Sequence, residues 1–146
     1  MKTVKIYIET SFIAPIEKDG KYAAILVFTG THGDITRTVA GEEKGTTFNR
    51  LTLIAAIRAM ERLNQPCHLI FYSANLYIKG MIEQGNPEKW RRAEWKKAAG
   101  TAVQNQELWE LFLEKAKGHK IEFRYSKYND YKETLQAVMN GEEIEV

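Results

Sequence analysis

The stretch from residue 53 to residue 63 constrains this chain most, because it is apolar almost all the way round a helix. Leu53, Ala56, Ile57, Met60 and Leu63 recur at helical spacing, and Ile54, Ala55 and Ala59 fill the flanks between them. A helix without a polar face cannot rest on a surface; it has to be buried against a sheet. The flanking segments supply that sheet. Upstream, Val4, Ile6 and Ile8 alternate with Lys5, Tyr7 and Glu9, the period of a strand with one face covered. Residues 21–29 are rich in β-formers and residues 34–39 are polar and Thr-rich, with Gly30-Thr31-His32-Gly33 between them as a hairpin turn. Beyond Pro66, which ends the helix, residues 67–72 read as a short apolar strand. A helix over about 76–82, a basic segment, a helix over about 105–117, a strand over 121–125 and a closing helix over 131–139 follow. Asn105 is a candidate N-cap, with Glu107 favourably placed near the same helix start. The string is β-β-β-α-β-α-(α)-α-β-α. It predicts an α/β fold in which an antiparallel meander leads into parallel strands, with helices as the crossovers.

Length and composition narrow the class. At 146 residues the chain fits one domain, expected over 1–140, with an acidic and solvated C-terminal tail over 141–146. A hydrophobic content of 44% excludes intrinsic disorder. No run of 18 apolar residues occurs and no signal-type apolar core opens the chain, so a cytoplasmic protein without a membrane partner is expected. The single Cys67 excludes a disulfide framework and reads as a small buried hydrophobe. His32, His68 and His119 show no metal-ligand spacing. The net charge of +2 implies no nucleic-acid partner by itself, but its distribution is uneven. Lys89, Arg91, Arg92, Lys96 and Lys97 stand against Glu88 and Glu94 within 87–98, a local +3. A projecting element with that charge suits sequence-independent contact with a phosphate backbone. A solvated helix face is the plainer reading of the same residues.

Three motifs, in order on this element string, resemble type 1 ribonuclease H. Thr47-Phe48-Asn49-Arg50-Leu51-Thr52-Leu53-Ile54-Ala55-Ala56-Ile57 is similar to the family's T-N-N-R-M-E-L-x-A-x-I at the start of its central helix. Tyr77-Ile78-Lys79-Gly80 is similar to D-S-x-Y-V-x-x-G after the fourth strand. Trp90, Trp95-Lys96, Val103, Asn105 and Leu108-Trp109 resemble W-x-x-x-x-W-K and P-V-x-N-x-x-L-W around the family's basic protrusion. The resemblance runs from Lys5 to about Met139. It implies a five-stranded mixed sheet with helices on both faces.

Ribonucleases H cleave the RNA strand of an RNA–DNA hybrid, and the family holds two magnesium ions about 4 Å apart with four carboxylates. By the resemblance, the first carboxylate falls on Glu9, one methylene longer than the family's aspartate. The second falls on Thr52 and the third on Ala74, neither of which carries a charge. The fourth falls on Glu133, judged from Leu135. Glu9 and Glu133 would then hold one magnesium or manganese ion weakly. Thr47, Asn49 and Asn105 match positions that contact phosphate or sugar edges in the family, where the hybrid is read through its minor groove and 2′-hydroxyls. As short polar residues at helix starts they also read as caps. Lys89, Arg91, Arg92, Lys96 and Lys97 would form an electrostatic clamp, and Trp95 belongs with them as well as with the packing anchors. The family's histidine-bearing loop before the last helix is replaced by Ser126-Lys127-Tyr128-Asn129-Asp130, and its Gly-rich turn by residues 12–19.

The expected function is therefore binding of RNA–DNA hybrid or other duplex nucleic acid with little or no hydrolysis. An active nuclease with a rearranged metal site, favouring manganese, is one alternative. A protein–protein module on the same scaffold, with Phe12, Ile13 and Ile16 as an apolar patch, is another.

Overall fold

A computed structural model describes residues 1–141; most of the expected acidic tail lies outside the described residues. The chain folds as β1 (Lys2–Thr10), β2 (Lys18–Gly30), β3 (Gly33–Thr46), α1 (Phe48–Met60), β4 (Cys67–Ser73), α2 (Leu76–Glu83), α3 (Asn86–Arg92), α4 (Gln106–Ala116), β5 (Lys120–Tyr125) and α5 (Lys132–Met139). The five strands form one sheet in the order β3-β2-β1-β4-β5. β1–β2 and β2–β3 pair antiparallel, while β1–β4 and β4–β5 pair parallel. No helix among the described residues is long and apolar enough to cross a membrane.

Side-chain alternation along β1 sets the two layers. Val4, Ile6 and Ile8 join the larger core with α1, where Leu51, Leu53, Ala55, Ala56 and Ala59 are fully buried. Ala23 and Ile25 of β2 face the other way and meet Leu135 and Met139 of α5, with Tyr7 and Tyr131 at the margin. Helices thus cover both faces, as expected.

Two boundaries differ most from the sequence reading. α1 stops at Met60 and not at Pro66, because the amides of Arg62 and Leu63 bond back three residues, to Ala59 and Met60, tightening the last turn. Leu63 still packs against the core from that turn. β3 runs seven residues past Val39. Its charged Glu42-Glu43 segment looks like a loop in sequence, yet Gly41, Glu42 and Glu43 pair with Tyr22, Lys21 and Gly20. Glycine is needed at Gly41, where a Cβ would sit 2.3 Å from the Tyr22 hydroxyl oxygen. The expected apolar patch is corrected likewise. Phe12 is buried in the larger core, and only Ile13 and Ile16 remain exposed.

Candidate nucleic-acid interface

The parallel strands β1 and β4 end beside the N-termini of α1, α2 and α5, and four short polar side chains fill that corner. Asn75 caps α2, its Oδ1 accepting from the Ile78 amide at 2.9 Å. Its Nδ2 donates to Asn49 Oδ1 at 3.0 Å and to Thr52 Oγ1 at 3.1 Å. The Thr52 hydroxyl donates to the Phe48 carbonyl at 2.9 Å, and Ser73 Oγ accepts from the Asn75 amide at 3.0 Å. Thr52, Ser73 and Asn75 are buried, so this neutral chain locks the end of β4 to the start of α1. Sequence reasoning missed Asn75. Its signal was present: Asn directly before an apolar helical stretch is an N-cap pattern.

On the other side of the same corner, Glu9 is 6% exposed at the end of β1. Lys132, the first residue of α5, donates from Nζ to Glu9 Oε1 at 2.7 Å and to the Lys127 carbonyl at 3.3 Å. Burial raises the Glu9 carboxyl above the ordinary glutamate value, and the Lys132 hydrogen bond and charge act against that rise. The resemblance implied Glu133 as the carboxylate that would share a metal with Glu9; the bond that Glu9 makes in the structure is with Lys132. Glu133 is exposed one position further along α5, a turn of about 100° around the helix axis. A cation in the first turn of a helix opposes the helix dipole, and that was the readable sign that Lys132 answers to a tertiary partner.

Two magnesium ions require several anionic oxygen ligands in near-octahedral geometry. The side chains found at the four implied positions are one carboxylate bound by an ammonium, a hydroxyl bonded to a carbonyl and an amide, the methyl of Ala74, and an exposed glutamate. No group of three or more His, Cys, Asp or Glu that could hold a metal ion occurs among the described residues. The residues present do not fit the metal pair.

Next to this corner lies an open groove of about 810 Å³, lined by Thr47, Asn49, Arg50, Asn105, Ile13, Ile16 and Tyr77 among others. It brings the three expected contact residues together. Thr47 caps α1, its Oγ1 accepting from the Arg50 amide at 3.2 Å. Asn105 stands at the N-cap position of α4 without a side-chain cap bond; its backbone is left-handed, and its Oδ1 accepts from Arg50 Nη1 at 3.2 Å. Arg50 also reaches Glu43 Oε1 at 2.8 Å and pairs with Glu107. This knot lowers both carboxyls, chiefly through the Arg50 hydrogen bonds, and raises the guanidinium further. It ties α1 to β3 and α4 and so fixes the groove's width.

The basic segment folds as α3 followed by a tight loop. Lys89, Arg91, Arg92, Lys96 and Lys97 are all exposed, with Arg91 paired to Glu88. Trp95, expected both among the contacts and among the packing anchors, packs: it is 8% exposed and belongs to the larger core. Its burial enforces an unusual backbone, since Glu94 and Trp95 take φ of 56° and 63°. The Trp95 amide donates to the Trp90 carbonyl at 2.7 Å, and its carbonyl accepts from Val103 at 3.1 Å. Left-handed non-glycine residues cost on the order of 1 kcal/mol each. Glu94→Gly is therefore expected to raise stability by about 0.5 kcal/mol, a melting shift of about 1–2 °C measurable by circular dichroism.

Comparisons with known proteins agree with this architecture. The family model for RNase H matches residues 1–128. A ribonuclease H of Chlorobium phaeobacteroides (strain BS1) is 35% identical over 126 residues, covering 86% of this chain and 83% of that protein. One of Caldanaerobacter subterraneus subsp. tengcongensis is 38% identical over 102 residues, and the matched part spans 64% of its length. Among solved structures, LC9-RNase H1, a type 1 RNase H with the type 2 active-site motif, superposes with a TM-score of 0.76 at 20% identity, covering 97% of this chain and 74% of that one. A foamy viral protease–reverse transcriptase in complex with dsDNA superposes with a TM-score of 0.66 at 9% identity, over 95% of this chain and 89% of that one. The last two likenesses establish the fold alone. The match of the family model over most of the chain, with a relative 35% identical along nearly its whole length, shows that this chain belongs to the RNase H family.

Proposed function

We propose that this chain binds RNA–DNA hybrid, or another nucleic-acid duplex, along the groove of Thr47, Asn49 and Asn105 and hydrolyses it little or not at all. The observation that carries the reading is the Lys132 ammonium on Glu9: the corner where the family places metal cations holds the protein's own cation. The uncharged Thr52–Asn75–Asn49 chain completes that corner without offering an anion. Binding is supported by what the groove residues have left over. The side-chain oxygens of Thr47, Asn49 and Asn105 each accept a hydrogen bond from within the protein, which leaves a hydroxyl and two amide NH2 groups as donors. Donors suit the acceptors of a minor groove, its 2′-hydroxyls and its phosphates. The exposed cations of the protrusion add sequence-independent attraction.

The test is a labelled RNA–DNA hybrid incubated in magnesium and separately in manganese, beside a Glu9→Gln control, with both mobility shift and cleavage read. A shift without cleavage is expected. Neutralising Arg91, Arg92, Lys96 and Lys97 together should weaken binding and flatten its salt slope by about 0.9 for each phosphate that the protein ceases to neutralise. An unchanged slope removes the clamp from the reading. Cleavage that vanishes in Glu9→Gln would establish a rearranged metal site. Neither shift nor cleavage would turn the search to protein partners for the exposed Ile13 and Ile16.

A further inference from the structure

The sheet is longer than the helix that covers it, and the uncovered end forms a second cavity far from the parallel-strand corner. α1 ends at Met60, whereas the β2–β3 hairpin continues to Gly30 and Gly33. The space left beyond the helix end is a cavity of about 550 Å³, within the range of small-molecule sites. Its apolar surface comes from the start of β1, the end of β2, the start of β3 and the turn after α1: Val4, Phe28, Ile35 and Leu63. The register puts Val4 opposite Phe28 and Phe28 opposite Ile35, a continuous apolar row across three strands on the α1 side. Ile35 is 51% exposed there, so its side chain is open to a ligand in the cavity.

The rim has one sign of charge. Lys2, Arg37 and Arg62 line the cavity, and no Asp or Glu does. All three are exposed, so each can keep its charged head in water while its methylenes extend the apolar wall. An apolar floor with a cationic rim selects a ligand with an apolar body and an anionic head. We infer that this cavity, formed by Val4, Phe28, Ile35 and Leu63 under Lys2, Arg37 and Arg62, is a binding site for a small amphipathic anion. The head is a carboxylate or a phosphate, either of which the two guanidinium groups can bond. The site is independent of the nucleic-acid reading: it lies at the opposite ends of β1 and β4 and shares no lining residue with the groove.

Calorimetric titration of the whole chain with decanoate, decyl phosphate and decanol, in the absence of nucleic acid, tests it. Saturable one-to-one uptake of at least one of the two anions is expected, with decanol binding at least fivefold more weakly. The stronger of the two anions identifies the head group. Arg37→Gln/Arg62→Gln, which removes the charges and keeps part of each methylene stem, should weaken the anion at least fivefold and decanol by less than twofold. Ile35→Glu, which puts a carboxylate into the lining at an exposed position, should abolish anion uptake while the melting curve stays that of the parent. Absence of saturable uptake, equal affinity for decanol, or an unaffected double variant overturns the site. The RNA–DNA hybrid shift of the same variants should equal that of the parent whatever the calorimetry shows, so failure here and failure of the duplex reading are told apart.

Discussion

Trp109→Ala is expected to lower folding stability by about 3–5 kcal/mol and to weaken duplex binding beyond what the fraction unfolded explains. Trp109 is 1% exposed and among the largest fully buried side chains of the described residues. It stands on α4 and meets Phe112 of the same helix edge-on, with ring centroids 5.7 Å apart. It also meets Trp90 of α3 edge-on at 5.8 Å. Truncation would remove both aromatic contacts and open a cavity between α4 and the base of the protrusion. The second effect follows from the first. Trp90 accepts the backbone bond of Trp95, and Trp95 holds the left-handed turn from which Lys96 and Lys97 project. Denaturant melts give the stability loss. Hybrid affinity, measured where the variant is still more than nine-tenths folded, gives the positional loss. Affinity equal to the parent's under those conditions would show that the protrusion keeps its place without this anchor, or that its cations do not contact the duplex.

How much of this was legible in the sequence depends on the range of the interactions involved. Val4, Ile6 and Ile8 announced β1, and the all-round apolar run announced α1, because periodicity is a local property that burial enforces residue by residue. The length of β3 was not legible. Glu42 and Glu43 extend it because an edge strand can carry charged residues, and a bulge shifts the register between Gly20 and Lys18 before the pairing ends at Thr46. In the corner site, the resemblance to the family's motifs pointed to Glu9, Thr52 and the groove residues Thr47, Asn49 and Asn105. It could not tell Lys132 from Glu133 as the residue meeting Glu9. That choice depends on the phase of α5 about its axis, which Leu135 and Met139 set by packing on Ala23 and Ile25 across the sheet. Trp95 shows a reading left double: a tryptophan in a basic segment suits stacking as well as packing, and the fold shows it as a core side chain. Arg50 belongs to the same class of long-range information, since its partners Glu43 and Glu107 lie 7 and 57 residues away.

Lys132→Met should be costly in a way that depends on pH. At about pH 8 the loss is expected to be roughly 3 kcal/mol, because a carboxylate at 6% exposure is left without its counter-charge. The pH dependence has a definite sign. Glu9 in the folded protein holds its proton more tightly than in the unfolded chain, since burial raises its pKa. The ionised folded state is thus penalised as pH climbs from the ordinary carboxylate range through the raised value, and the penalty is absent below that range. In the parent, Lys132 limits the rise; without it the pKa moves higher and the penalty grows. The variant should therefore approach the parent at about pH 4 and fall away toward pH 8 in urea melts. Glu9→Gln should soften the effect of Lys132→Met, because a neutral amide needs no cation. A pH-independent loss, or one untouched by Glu9→Gln, would mean that Lys132 acts through its packing on Tyr128 instead. Magnesium added to Lys132→Met extends the test to the chemistry of the corner. Thr52 and Asn75 offer it a hydroxyl and an amide already engaged with each other, so the ion should restore no stability. Recovery in millimolar magnesium would show that the ammonium had been standing where a metal can bind, and would favour hydrolysis as a function of this chain.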